Sequence, residues 1–318
     1  MRLRDIYNEA VRRGMEKDPR GKRGIRQALA RSRAELKKLK GVDKKVFDRD
    51  RLTNPYADTR ILNGSPDSEV RSLMVGIDVE APEIVLADRL SEKGGPIDLV
   101  MTHHPEGGAL ANLSDVMELQ ISILKKLGIS DEVARDLMKE RMDEVRRSVA
   151  PVNHTRSVDA ARLLGIPYMC VHTPADNQVT DHLQRLFEKV RPSRLSQALS
   201  MLKSIPEYAD GLKKGAGPRI LIGKPEGKAG KIFVDMTGGT EGSARVFSRL
   251  SQAGVGTIVA MHLSESHFKS AKIEHINVII AGHMASDSLG LNLLLDMIVK
   301  KESLNVLPCS GFVRVRRK

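Results

Sequence analysis

Three apolar segments of this 318-residue chain run into histidine, and in two of them an aspartate stands four residues further on. The segments are Ile97-Asp98-Leu99-Val100-Met101-Thr102-His103-His104-Pro105, Tyr168-Met169-Cys170-Val171-His172-Thr173-Pro174-Ala175-Asp176, and Val278-Ile279-Ile280-Ala281-Gly282-His283-Met284-Ala285-Ser286-Asp287. Imidazole nitrogens and carboxylate oxygens are what Zn²⁺, Mn²⁺, Fe²⁺ or Ni²⁺ take from a protein that offers no thiolate. Short runs rich in Val and Ile read as buried strands, and open α/β sheets bind ligands beyond the carboxyl ends of such strands. Three His-bearing strand ends therefore point to one crevice and to metal chemistry.

Each segment taken alone has a plainer reading. Neighbours on a strand face opposite ways, so His103 and His104 share a crevice only if Pro105 ends the ladder there; otherwise they are a surface pair. His172 and Asp176 flank a Thr-Pro turn, where an aspartate also serves as a turn cap. His283 and Asp287 share a helical face at i, i+4, where the acid also complements a helix N-terminus. The coincidence of all three carries the metal reading.

Two further segments adjoin this set. Phe233-Val234-Asp235-Met236-Thr237-Gly238-Gly239-Thr240-Glu241-Gly242-Ser243 is a strand, a small-residue loop and a helix start. It matches neither phosphate-binding fingerprint and reads as a tight turn, a phosphate cradle being the alternative. His262 and His267 follow another strand, and as groups titrating near neutrality they are the candidate catalytic acid/base residues, surface roles being the alternative.

The elements that must position these residues alternate strand and helix, the grammar of a largely parallel sheet. Residues 2–13 and 22–40 read as helices with basic outer faces, and 1–68 as a basic helical extension and linker. A first α/β lobe is expected over 69–180, with a helical insertion over 106–165 that includes one helix from Leu110 to Leu127. A polar connecting segment over 181–217 then leads to a second α/β portion over 218–318, with a last edge strand at Gly311–Val315.

Composition narrows the class. The chain is 41% hydrophobic and 29% charged, as a soluble globular protein is, and long enough for two lobes. Its two cysteines form no framework, and no stretch reaches the roughly 20 apolar residues a membrane helix needs. A cytoplasmic protein with no membrane partner is expected. The net charge of +12 sits at the ends: residues 1–40 hold 14 Lys/Arg against 5 Asp/Glu, and the last five residues add four cations.

The order of these motifs resembles the NIF-three-like dinuclear-metal proteins, often labelled type-2 GTP cyclohydrolase I. The resemblance spans about residues 69–300 and rests on Gly76-Ile77-Asp78, Thr102-His103-His104-Pro105, His172-Thr173-Pro174-Ala175-Asp176, the Gly-rich loop and Gly282-His283 with its acid at 287. It implies two α/β lobes with mixed, largely parallel sheets and two divalent ions in the crevice between them. By the same resemblance the ligands would be His103, His104, Asp176, His283 and Asp287, with His172 supporting them, and the subunits would form a toroidal hexamer. The chain departs from the pattern in carrying Asp287 where the family usually has Glu, in its long helical insertion, and in residues 1–68.

A metal-dependent hydrolase is the leading expectation. Two ions about 3.5–4 Å apart would activate a metal-bound hydroxide against a nucleotide-like or other small substrate. The competing expectation, from a different class, is a metal-binding scaffold whose basic ends grip nucleic acid or an acidic partner. Few aromatics accompany the basic segment, which argues against base stacking.

Overall fold

In the computed structural model, residues 1–317 are described. The chain opens with α1 (Leu3–Lys17), α2 (Gly21–Lys38) and α3 (Gly41–Val46), followed by β1 (Thr59–Asn63) and β2 (Ser72–Gly76). Helix α4 (Ala81–Glu92) leads to β3 (Leu99–Thr102). The insertion then holds α5 (Gly107–Ala111), α6 (Leu113–Val116), α7 (Glu118–Lys126), α8 (Asp131–Val149) and α9 (Arg156–Leu164) before β4 (Tyr168–Val171). Helices α10 (Thr173–Val190), α11 (Leu195–Lys203) and α12 (Pro206–Lys213) precede β5 (Arg219–Ile222), β6 (Lys231–Asp235), α13 (Phe247–Gln252), β7 (Val255–Ala260), α14 (Glu265–Ile273) and β8 (Asn277–Ile280). Helix α15 (His283–Val299) and β9 (Asn305–Pro308) close the fold.

The strands form two sheets, each the floor of an α/β lobe. The first has the order β1-β4-β3-β2-β9 and the second β5-β8-β7-β6. Both are mixed and largely parallel: β1 runs antiparallel to β4 and β5 antiparallel to β8, and all other pairs among the described residues are parallel. Strands β2, β3 and β4 are buried at every position, because helices cover both faces of a parallel sheet and leave no polar side. Helix α15 is apolar nearly all round and serves two cores. Leu291, Leu294, Leu295 and Ile298 pack in the first, and Ala285 and Leu289 in the second.

The structure differs from the sequence reading in five places. Helix α1, taken as part of the basic extension, buries Leu3, Ile6, Tyr7, Ala10 and Val11 in the first core, so its apolar side belongs to the first lobe rather than to a separate arm. A strand, β1, lies within the stretch read as linker. The helix expected from Leu110 to Leu127 is three helices, because the chain leaves helical geometry at Asn112 (φ −105°, ψ 17°) as it rounds the cleft. The polar segment 181–217 is helical, and Leu183, Phe187, Leu195, Ala198, Leu202 and Tyr208 pack beneath the second sheet. The last edge strand is Asn305–Pro308 rather than 311–315; past Pro308 the chain is instead tied to α15, with Val315 N–H donating to Asn292 Oδ1.

The insertion crosses from one lobe to the other. Met117, Ile121, Leu124, Ala134, Leu137 and Met138 pack against Val246, Phe247, Leu250 and Ile258 of the second lobe. Gln120 donates to the carbonyls of Gly238 (2.8 Å) and Thr240 (2.6 Å), so the Gly-rich loop is held as a packed turn. Gly238 has φ +100°, and a Cβ there would stand 2.6 Å from the Gln120 side chain.

Candidate metal centre

The end of β3 shows how two adjacent histidines reach one side. Thr102 is buried and its hydroxyl donates to Ile77 O (3.0 Å), with His104 O at 3.1 Å, so the chain curls as the strand stops. Both rings then turn to the same side, their centroids 5.3 Å apart, with His104 lining the cleft and His103 buried behind it.

Each ring is fixed by its outer nitrogen. His103 Nδ1 donates to Val171 O (3.1 Å), His104 Nδ1 to Asp78 Oδ1 (2.6 Å) and His172 Nδ1 to Asp58 Oδ2 (2.9 Å). A donating Nδ1 leaves the lone pair on Nε2, and all three Nε2 atoms are turned inward; this is the outer support that metal-binding histidines use. Asp58 is fully buried and also accepts from the Thr173 hydroxyl at 2.6 Å.

The acids arrive on two long helices. Asp176 lies in the first turn of α10, after β4, and Asp287 in the second turn of α15, after β8. The helices cross closely because residue 290 is glycine: a Cβ there would meet Ala175 O at 2.5 Å. Asp287 is 1% exposed and Asp176 4%.

Nitrogens and oxygens converge at distances that are informative in themselves. His103 Nε2 is 3.4 Å from Asp176 Oδ1 and 3.5 Å from Asp287 Oδ1. His104 Nε2 and His283 Nε2 each lie 3.5 Å from Asp287 Oδ2, and His172 Nε2 is 3.7 Å from Asp176 Oδ2. These are long for N–H···O bonds, and Asp176 Oδ1 and both Asp287 oxygens are buried with no hydrogen-bond partner among the described residues. Tetrahedral bonds of about 2.0–2.2 Å would set donor atoms roughly 3.3–3.6 Å apart. The orphaned oxygens therefore fit a divalent cation.

Three overlapping groups have ligand atoms within 4.8 Å of one another: His103, His104 and His172; His104, His283 and Asp287; His103, Asp176 and Asp287. Such a cluster can coordinate one or two ions. The electrostatics call for positive charge at its centre. Burial resists a charge on His103, but the Asp287 and Asp176 carboxylates outweigh it and raise its pKa well above the usual imidazole value. His104 is also disfavoured by burial, yet bonds to Asp287 and Asp78 raise it to about 9. Asp287 is pushed up by burial and held far below the ordinary carboxylate range by His103, His104 and His283. Protons or a metal cation would each answer that demand.

Beside the cluster a cleft of about 300 Å³ opens, walled by Leu110 and Leu113 from the insertion and by Asp235, Glu241, Met261 and His262 from the second lobe. His262 reaches Glu241 Oε1 at 3.3 Å and its ring centroid is 4.9 Å from that of His283. Burial opposes a charge on Glu241, and His262 and Ser264 overcome it, lowering the carboxyl to about 2. His267 has both ring nitrogens engaged, Nδ1 with Ser264 Oγ (2.7 Å) and Nε2 with Gly242 O (3.1 Å).

The five residues singled out as ligands and His172 thus lie together, and His262 and His267 line the same cleft. Asp58 and Glu241 carried no role in the sequence reading. An acid just before an apolar stretch marks Asp58 only faintly, and Glu241 sits in a loop that reads as a turn.

Against known proteins, no family model matches this sequence and no curated protein does. Among solved structures, a NIF3 superfamily protein from Sphaerobacter thermophilus superimposes with a TM-score of 0.69 at 24% identity, over 90% of this chain and 98% of that one. The chain shares that protein's fold. More distant matches are reduced HcgD from Methanocaldococcus jannaschii (TM-score 0.46, 15% identity, 77% of this chain and 86% of that one) and TTHA1606 from Thermus thermophilus (0.45, 15%, 79% and 86%). In this NIF3-like fold the His/Asp cluster lies between the two lobes, with ligand groups drawn from both.

Proposed function

We propose that the protein is a metal-dependent hydrolase holding two divalent ions (Zn, Mn, Fe or Ni) through His103, His104, Asp176, His283 and Asp287. The observation that carries this reading is the pair of buried carboxylates whose unpartnered oxygens face imidazole nitrogens at 3.4–3.5 Å. Bound ions would supply Lewis acidity and lower the pKa of water. The chain's own residues do the rest: Asp58 and Asp78 aim the rings of His172 and His104, and Glu241 steers His262 as the acid/base group at the cleft wall. His267, doubly hydrogen bonded, holds the loop that carries Glu241.

The described residues lining the cleft include no lysine or arginine, while Asp235 and Glu241 face it beside the cluster. A nucleotide-like or other small substrate would therefore be held chiefly by the bound ions, since no cationic side chain is there to share a phosphate. We also propose a homo-oligomer, on the family resemblance a toroidal hexamer, checked by its native mass. A reducing cytoplasm suits its two free cysteines, and no helix among the described residues is long and apolar enough to cross a membrane.

The test is metal content by elemental analysis on untagged protein, beside Asp176→Asn Asp287→Asn. About two ions per chain, lost in the variant with its circular dichroism intact, is expected. No metal in either protein after reloading with Zn²⁺, Mn²⁺ and Fe²⁺ would sink the reading. A wild type that keeps its metals but cleaves no member of an amide, phosphoester and nucleotide panel would favour the non-catalytic scaffold.

A further inference from the structure

Helix α2 spends eighteen residues on almost no core: only Ile25 is buried, and Leu29, Leu36 and Leu39 are half-buried on the same side. A strip flanking that side is cationic. Lys22, Arg26, Arg33 and Lys37 recur at spacings of four, seven and four and form one exposed stripe about 22 Å long at 1.5 Å per residue. Lys40, Lys44 and Lys45, at the start of and within α3, are exposed as well.

Among the described residues these cations have no acidic partner. None of the seven takes part in an ion pair within 4.0 Å, and Arg33 donates only weakly to Leu52 O at 3.4 Å. The polar side of helix α8 is the internal control. Three of its four arginines pair with neighbouring acids, Arg135 with Asp131, Arg141 with Glu144 and Arg146 with Asp143. The basic C-terminus does not match α2 either, since Arg314 is tied to Asp296 and Arg317 to Glu207.

We infer that the α2–α3 arm is a docking surface for duplex nucleic acid, gripping the phosphate backbone without reading sequence. A straight row of unpaired cations complements a regular line of phosphates. Single strands are disfavoured because the arm offers no stacking platform: Phe47, its one nearby aromatic, is buried and covered by the Arg51 guanidinium at 5.0 Å. The arm is chemically opposite to the acidic cleft, so this binding is independent of the proposed hydrolysis.

The experiment titrates full-length protein into a labelled 20-base-pair DNA duplex between 50 and 200 mM NaCl, followed by anisotropy. The arm variant is Lys22→Glu Arg26→Glu Arg33→Glu Lys37→Glu. The control, with an equal change of net charge, is Lys213→Glu Lys224→Glu Lys228→Glu Lys231→Glu. The arm variant should lose affinity by about thirtyfold or more at 50 mM and flatten a log–log salt slope by about 3 to 4, with the control near wild type. Equal losses in both variants would reduce the effect to net charge and overturn the proposal. So would binding to phosphatidylserine vesicles but not to duplex, or a native mass that changes in the arm variant alone, which would make the arm a subunit contact.

Discussion

The two lobes run the same course with different side chains. In each, an antiparallel edge strand (β1, β5) joins a run of parallel strands, four in the first lobe and three in the second, its pairing register slips once, and the strand beside it leads into a long helix opening with His, three residues and Asp. His172 and His283 thus occupy equivalent places. His172 is buried and anchored by Asp58, which immediately precedes β1; the residue preceding β5 is Pro218, which has no acid to offer, and the side chain of His283 is 38% exposed. A repeated backbone brings a histidine and an acid from each side, and the outer partners decide which ring is held and which stays adjustable.

The sharpest way to break this comparison is to remove the two acids singly. Asp287 belongs to two of the ligand groups and Asp176 to one. Asp287→Ala is therefore expected to lose both ions and Asp176→Ala to keep one, as counted by elemental analysis; equal stoichiometry in the two variants would show that the lobes contribute alike.

A smaller effect separates the anchored ring from the free one. Asp58→Asn leaves the Thr173 contact possible but weakens the hold on His172, and metal affinity should fall by about ten- to a hundredfold in a chelator competition titration. An unchanged affinity would mean that His172 is as loosely required as its position outside the ligand set implies.

The smallest effect is a pH dependence in the second lobe. Glu241 titrates near 2, below its unfolded value, so its stabilisation is present above about pH 4.3 and is lost as pH falls toward 2. His262 is raised, chiefly by its bond to Glu241, so its share is complete below about pH 6.5 and is lost as pH rises through its folded pKa. Glu241→Gln should flatten both limbs of the melting-temperature profile; a profile superimposable on wild type would remove this pair from the stability account.

What could be read from the residues alone was whatever is local. His103-His104-Pro105, His172 to Asp176 and His283 to Asp287 each lie within one short segment, and the buried strands before them are continuous apolar runs. What depends on pairing across the chain stayed hidden. Asp58 matters only because β1 lies beside β4, which brings it against residues 114 positions away. The helices over 181–213 were masked by charges sharing their turns, and the apolar side of α1 was legible but its partner, the first core, was not. Strand β9 was obscured by Pro308, which marks where an edge strand stops.

Strand β9 also sets an order of events. It pairs with β2, so the first sheet is completed by residues made some 230 positions later, as the contact between Asn305 and Ser72 shows. During synthesis the flank of β2 stays open until residues 305–308 leave the ribosome, and an open strand edge is a template for wrong pairing. Because α15, also made late, fills both cores, neither half can finish folding first. The chain should refold as one slow cooperative unit, and a change that abolishes β9, such as deleting residues 305–308, should be felt as aggregation of the nascent protein before any loss of metal.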